Sequence, residues 1–192
     1  MDAERTAREW LRERGADAIE HVGGTLYAHL CRVHDRMAAH GLARDARLAG
    51  LTHAAYGTDG FDVALLDIAE RRRLREVVGE RAERLVYLYG GCDRGHTWRA
   101  LAMTGVIRCR FTGTCESPPP AELRAFVDLS IVNELDVAEH DPAIAARYGD
   151  YFRDIFARWA PLASPAVLAD AERVLGYQVP ATRSRHGRPS GS

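Results

Sequence analysis

The chain is expected to fold as one all-α domain with a small β-like insert near residues 105–115. Three observations lead there. Apolar residues recur at helical spacing through most of the chain, as in Leu26, Leu30, Val33 and Met37. Cap-and-proline pairs open helices at Asp141-Pro142 and Ser164-Pro165. Strand-like alternation is confined to residues 106–112, where Ile107, Cys109 and Phe111 alternate with Arg108, Arg110 and Thr112.

Taken in order, the segment 1–20 holds a charged amphipathic helix from Ala3 to Arg14, ended by Gly15 and docked through Trp10 and Leu11. The main helical domain spans residues 21–178. Its first helix is capped by Thr25 and stops at Gly41. The next covers residues 45–56, with Ala46, Ala49 and Gly50 small enough for close helix approach. A short apolar helix is expected over 61–68 and a longer one over 71–89, weakened at Gly79. Residues 90–97, GGCDRGHT, read as a loop, and 98–103 as a helical turn. Helices over about 120–140, 142–159 and 165–176 follow, then a polar tail over 179–192 expected to be disordered.

A length of 192 residues suits one well-packed domain, and 46% hydrophobic residues argues against a disordered chain. The net charge of −1 lacks the broad basic field of a nucleic-acid binder. No apolar run is long enough to span a bilayer, and the N-terminus lacks the apolar core of a signal peptide, so the expectation is a cytoplasmic protein without a membrane partner. All 26 basic side chains are Arg, which excludes a lysine Schiff base or a lysine phosphate loop. An anionic substrate group would be held by an Arg fork or backbone amides.

Chemistry-bearing residues concentrate in two helices. His29 shares the apolar stripe of the first, and His53 ends the small-residue face of the second. Far downstream, Asp128 lies in the stripe Ala121, Ala125, Asp128, Ile131, Val132, Leu135. An ionised carboxylate there needs a compensator: an Arg, a helix N-terminus or a metal. Two imidazoles and a carboxylate match catalytic zinc or mononuclear iron(II). His21, delivered by Gly23-Gly24, is either a fourth ligand or a loop histidine capping a helix. Tyr56 and Arg94 are candidate substrate-holding residues, with Asp93 beside them. Asn133 and Glu134 point off the stripe toward a neighbouring helix, and His34, His40 and His140 are expected on the surface. Cys92, His96, Cys109 and Cys115 form a rival zinc candidate on the insert, without the paired spacing that marks structural zinc.

The run Leu48-Ala49-Gly50-Leu51-Thr52-His53-Ala54-Ala55-Tyr56-Gly57, with His29 upstream, resembles the HD superfamily of metal-dependent helical enzymes. "T-L-x-x-H-L" and "L-A-G-L-x-H-x-x-Y-G-T", with His21, look more narrowly like an uncharacterised HD-like family of bacteria and plants. The resemblance, over about residues 25–135, implies an HD-like fold with His29, His53 and Asp128 as ligands. Ala54 stands where the HD aspartate belongs, which implies one metal rather than two. The leading functional expectation is an Fe(II)-dependent oxidative enzyme on a small, anionic metabolite. A Mn- or Zn-dependent hydrolase of the HD type and a non-catalytic binding module are the alternatives.

Overall fold

The computed structural model describes residues 2–176, so the expected tail over 179–192 lies outside the described residues. It is an all-α architecture with two small antiparallel hairpins. Helix α1 (Ala3–Glu13) starts at Asp2, whose carboxylate accepts the Glu4 N–H at 3.1 Å, and buries Ala7, Trp10 and Leu11. A hairpin of β1 (Glu20–His21) and β2 (Gly24–Thr25) follows, pairing His21 with Gly24. Gly23 turns this hairpin with φ 73° and lies so close to His140 that a Cβ would sit 2.7 Å from its ring.

Helix α2 (Leu26–Ala39) is capped by the Thr25 hydroxyl. Helix α3 (Arg44–Thr52) packs against it where Gly50 faces Met37; a Cβ on Gly50 would meet the Met37 sulfur at 2.4 Å. The small face read from the sequence therefore serves close helix approach, and the helix ends one residue before His53.

The expected helix over 61–68 does not form. Leu65 and Leu66 both donate their backbone N–H to the Ala55 carbonyl, which anchors an irregular segment to the end of α3. Only a 3₁₀ turn, Ile68–Glu70, appears there, capped by Asp67. The expected long helix is two, α4 (Arg71–Val78) and α5 (Glu80–Gly91), because Gly79 adopts φ 89° between them. GGCDRGHT is not a loop. Gly90 and Gly91 finish α5, where a Cβ would come within 2.8 Å of the Gly57 carbonyl or 3.0 Å of Phe111. Asp93 then caps α6 (Arg94–Thr104) by accepting the His96 N–H. These glycines mark close packing rather than a turn.

The expected insert is a hairpin of β3 (Ile107–Arg108) and β4 (Cys115–Glu116). Beyond it α7 (Pro120–His140) runs through the centre of the molecule, with α8 (Pro142–Trp159) and α9 (Pro165–Leu175) packed on it. Every residue from 126 to 136 is buried. A helix surrounded on all sides has no outer face, so its polar residues, Asp128, Ser130, Asn133, Glu134 and Asp136, must find partners inside.

Charge pairs tie the periphery to this core. Asp170 of α9 accepts Arg36 Nε at 2.5 Å and pairs with His40 Nε2 at 2.9 Å. On the opposite side Glu83 of α5 is fully buried and accepts Tyr56 Oη at 2.8 Å, Arg71 Nε at 2.6 Å and Arg75 Nε at 2.8 Å. Burial pushes this carboxyl up, and the bonds from Arg71, Arg75 and Tyr56 outweigh it and hold it below the usual range. Replacing Glu83 by Ala leaves Tyr56 and two guanidiniums without their acceptor. Urea unfolding of Glu83→Ala is expected to show a loss of about 3 kcal/mol, at the low end for a broken buried pair because both Arg side chains reach solvent.

Candidate functional site

The site is organised around one carboxylate that the sequence pattern did not single out. Asp136 of α7, 2% exposed, accepts Arg32 Nε at 2.8 Å and Arg32 Nη2 at 2.9 Å in a two-point clamp. Its Oδ2 also lies 2.6 Å from His29 Nδ1. Burial pushes Asp136 up, but the bonds from His29 and Arg32 outweigh it and hold the carboxyl far below its usual range. Asp136 is therefore ionised, and His29 Nδ1 must carry the hydrogen. The same Arg32 donates to the carbonyls of Val22 at 3.0 Å and Gly23 at 3.3 Å. One guanidinium thus sets both the His29 orienter and the hairpin that carries His21.

His53, just past the end of α3, is 2% exposed and donates Nδ1–H to the Gly50 carbonyl at 2.8 Å. Burial, reinforced by the neighbouring His29, lowers its pKa to about 3. His53 is neutral at ordinary pH, with Nε2 as a bare acceptor. That nitrogen lies 3.4 Å from His29 Nε2. Asn133 places Oδ1 3.1 Å from the same His29 nitrogen, while its Nδ2 donates to Glu134 Oε1 at 3.0 Å. The amide orientation follows from that second bond, since a flipped amide would set oxygen against oxygen. His29 Nε2 therefore faces two acceptor atoms, His53 Nε2 and Asn133 Oδ1, an arrangement that a bound cation would relieve.

His21 stacks on His29 with centroids 4.2 Å apart and planes 26° from parallel. Nearly parallel rings do not aim in-plane lone pairs at one nearby point, so His21 flanks the meeting of nitrogens instead of joining it. Burial and His29 lower its pKa to about 4, and its Nδ1 is buried without a hydrogen-bond partner among the described residues.

These groups form the floor of a cavity of about 800 Å3. Glu134 lines it and accepts Arg94 Nη1 at 2.8 Å; Arg94 Nη2 donates to Tyr89 Oη, also at 2.8 Å. The wall is apolar and aromatic, built from Phe61, Trp98 and α8.

The expected ligand set is thus only partly brought together. His29 and His53 meet and His21 stands beside them. Asp128 is elsewhere: its Oδ1 accepts Ser164 N–H at 2.7 Å and its Oδ2 accepts Ser164 Oγ–H at 2.6 Å, at the N-cap of α9. Of the three compensators considered for it, the helix N-terminus supplies the hydrogen bonds, with the Arg124 charge acting from further off. Tyr56 is bound to Glu83 and is not part of the cavity wall, so it does not stand at the substrate position expected of it. Arg94 does reach the cavity, already paired. Asn133 and Glu134, expected to face a neighbouring helix, are at the floor. His34, expected on the surface, is 4% exposed and 2.8 Å from Asp35. Cys92 and Cys109 face each other across a β-bridge, whereas Cys115 is exposed and His96 pairs with Asp93. Among the described residues no group of three His, Cys, Asp or Glu side chains is arranged to hold a metal ion, either on this insert or at the histidines.

A family model described as a domain of unknown function, DUF6817, matches residues 10–94, less than half of the chain. The matched stretch includes His21, His29, His53 and Arg94, and stops before α7. No curated protein and no solved structure matches the chain. Among the described residues no helix is long and apolar enough to cross a membrane.

The depressed His53 value has a consequence for stability. An unfolded histidine titrates near 6.5, so between about 6.5 and 3 the unfolded chain holds a proton that the folded chain refuses. Stability is full above 6.5 and falls with pH through that window. Urea titrations of metal-free protein are expected to show a loss on the order of 4 kcal/mol between about pH 6.5 and 4.5, about 2 from His53 and about 2 from His21, above the main carboxylate range. His53→Gln should cut that slope to about half, the remainder belonging to His21; an unchanged slope would mean that His53 is not held neutral.

Proposed function

We propose that this protein is a metal-dependent enzyme of the hydrolytic type, with a divalent ion held by His29 Nε2 and His53 Nε2 and completed by Asn133 Oδ1 and solvent or substrate. The observation that carries the reading is the 3.4 Å separation of two imidazole nitrogens whose other nitrogens are both spent as donors. Two nitrogens on one tetrahedral zinc, with bonds of about 2.0–2.1 Å, lie about 3.4 Å apart. Metal-ligating histidines characteristically donate their far N–H to a carboxylate or a backbone carbonyl, and here Asp136 and Gly50 receive them. The donor set is two imidazoles and an amide, so it fits an open site rather than a closed protein cage.

Bound there, the ion supplies Lewis acidity that lowers the pKa of water and polarises a carbonyl or phosphoryl oxygen. The remaining work belongs to the chain. Asp136 holds the His29 ring in one tautomer and one orientation. Burial keeps His53 neutral, the form that ligates. Glu134, fixed by Arg94 and Asn133, is placed to accept a proton from water entering the cavity. The aromatic wall limits access of bulk water. The oxidative reading rested on a carboxylate completing a two-histidine set. Asp128 is committed to Ser164 and Asp136 stands behind His29, so the neutral donor set supports hydrolysis better. The HD resemblance supports the same two histidines on neighbouring helices.

Metal analysis and calorimetry test this. Stripped protein is expected to take up zinc or manganese, and His29→Ala or His53→Ala to abolish uptake. Asp136→Asn should weaken affinity about 10–100-fold, the usual cost of losing an orienting partner. Absence of binding to wild-type protein by zinc, manganese or iron would sink the proposal. Oxygen consumption by the iron-loaded protein with substrate would overturn the hydrolytic assignment in favour of oxidation.

A further inference from the structure

We propose that the cavity takes an aromatic carboxylate, with its ring body along the wall between α6 and α8 and its charged group held by Arg99 at the mouth. This rests on the reading above for the far end of the molecule, the histidine floor; the Arg99 end stands on geometry of its own. Helix α6 carries the wall from floor to mouth. Arg94, in its first turn, belongs to the floor. It donates to Glu134 Oε1 at 2.8 Å, the oxygen that also takes Asn133 Nδ2–H at 3.0 Å, and Asn133 Oδ1 lies 3.1 Å from His29 Nε2. Arg99 is five residues on, about 7.5 Å further along the helix, and is exposed where Arg94 is half-buried. Between the two guanidiniums the wall is a ladder of stacked groups. Arg94 lies over Trp98, 4.9 Å from the ring centroid. Trp98 stacks on Tyr151, with centroids 6.4 Å apart and planes 5° from parallel, and Arg99 lies over Tyr151 at 5.6 Å. All four residues line the cavity.

The ladder leaves donors unspent. A guanidinium laid on a ring uses its face and keeps its edge N–H groups for hydrogen bonds. Among the described residues no carboxylate pairs with Arg99 and no acceptor takes its N–H groups, so its fork is open to a ligand. A carboxylate offers that fork two oxygens in one plane and the single negative charge that one guanidinium answers. The remaining charges agree. Asp59 and Glu134 balance Arg94 and Arg99 around the cavity, and a divalent ion at the floor makes the sum positive. Tyr148, one turn before Tyr151 on α8, extends the aromatic wall toward solvent and is left open there. A flat ring laid against this wall gains edge or face contacts along its length. A two-ring body anchored at Arg99 covers the interval along α6, so the group opposite the carboxylate reaches the histidine floor.

Calorimetry with two probes of one shape, 2-naphthoate and its neutral amide 2-naphthamide, tests the inference on metal-free protein, where an ion cannot recruit the carboxylate. The carboxylate is expected to bind about five- to tenfold tighter than the amide. Arg99→Gln, a change at an exposed side chain, should cut that preference to about twofold or less while leaving the amide's affinity and the circular dichroism spectrum unchanged. Equal binding of the two probes by the wild-type protein overturns the inference. So does a preference that survives Arg99→Gln, or the failure of both probes to bind. Zinc uptake is read separately on the same proteins, so failure of the metal proposal and failure of this one are told apart.

Discussion

The clamp between Arg32 and Asp136 is the interaction on which the site depends. A carboxylate in the middle of a buried helix is costly to leave alone, and a two-point guanidinium bond makes it tolerable. Once ionised and fixed, Asp136 dictates the tautomer of His29. Through the Val22 and Gly23 carbonyls, the same Arg32 dictates where the β1–β2 hairpin lies. The pairing joins α2, α7 and the hairpin with one side chain. Its energetic role is inseparable from its chemical role, because the groups that satisfy the buried charge are the groups that aim the imidazole.

The fold was largely legible because helix signals are local. Caps at Thr25, Asp141-Pro142 and Ser164-Pro165, and the short hairpin after residue 106, are read from a few neighbouring residues. The misreadings share one cause. Gly90-Gly91 looked like a turn and is a helix end pressed against Gly57 and Phe111. Leu65-Leu66 looked like a helix and is an irregular bend anchored to Ala55. In both places a tertiary contact decided what local pattern left open.

The site was legible in its nitrogens and not in its oxygens. His29 and His53 stood out because they occupied apolar helical faces. Asp128 was chosen over Asp136 by a stripe argument that presumes a helix with an inside and an outside. Because α7 is enclosed on every side, the stripe carried no information about which carboxylate meets a histidine. An arginine three residues beyond a core histidine on the same helix, Arg32 after His29, was the available signal: a cation beside an inward imidazole implies a carboxylate between them. Asn133 and Glu134 were lost to the same presumption.

The joining of α2 to α7 also sets a timetable. His21, His29 and Arg32 leave the ribosome about 110 residues before α7 is complete, on the order of 5–22 s at about 5–20 residues per second. Throughout that interval the side of α2 that meets α7 has no Asp136 to lie against. The nascent chain can pack α3 on α2 at once, yet His29 must wait for its carboxylate. The site is therefore completed only when α7 arrives.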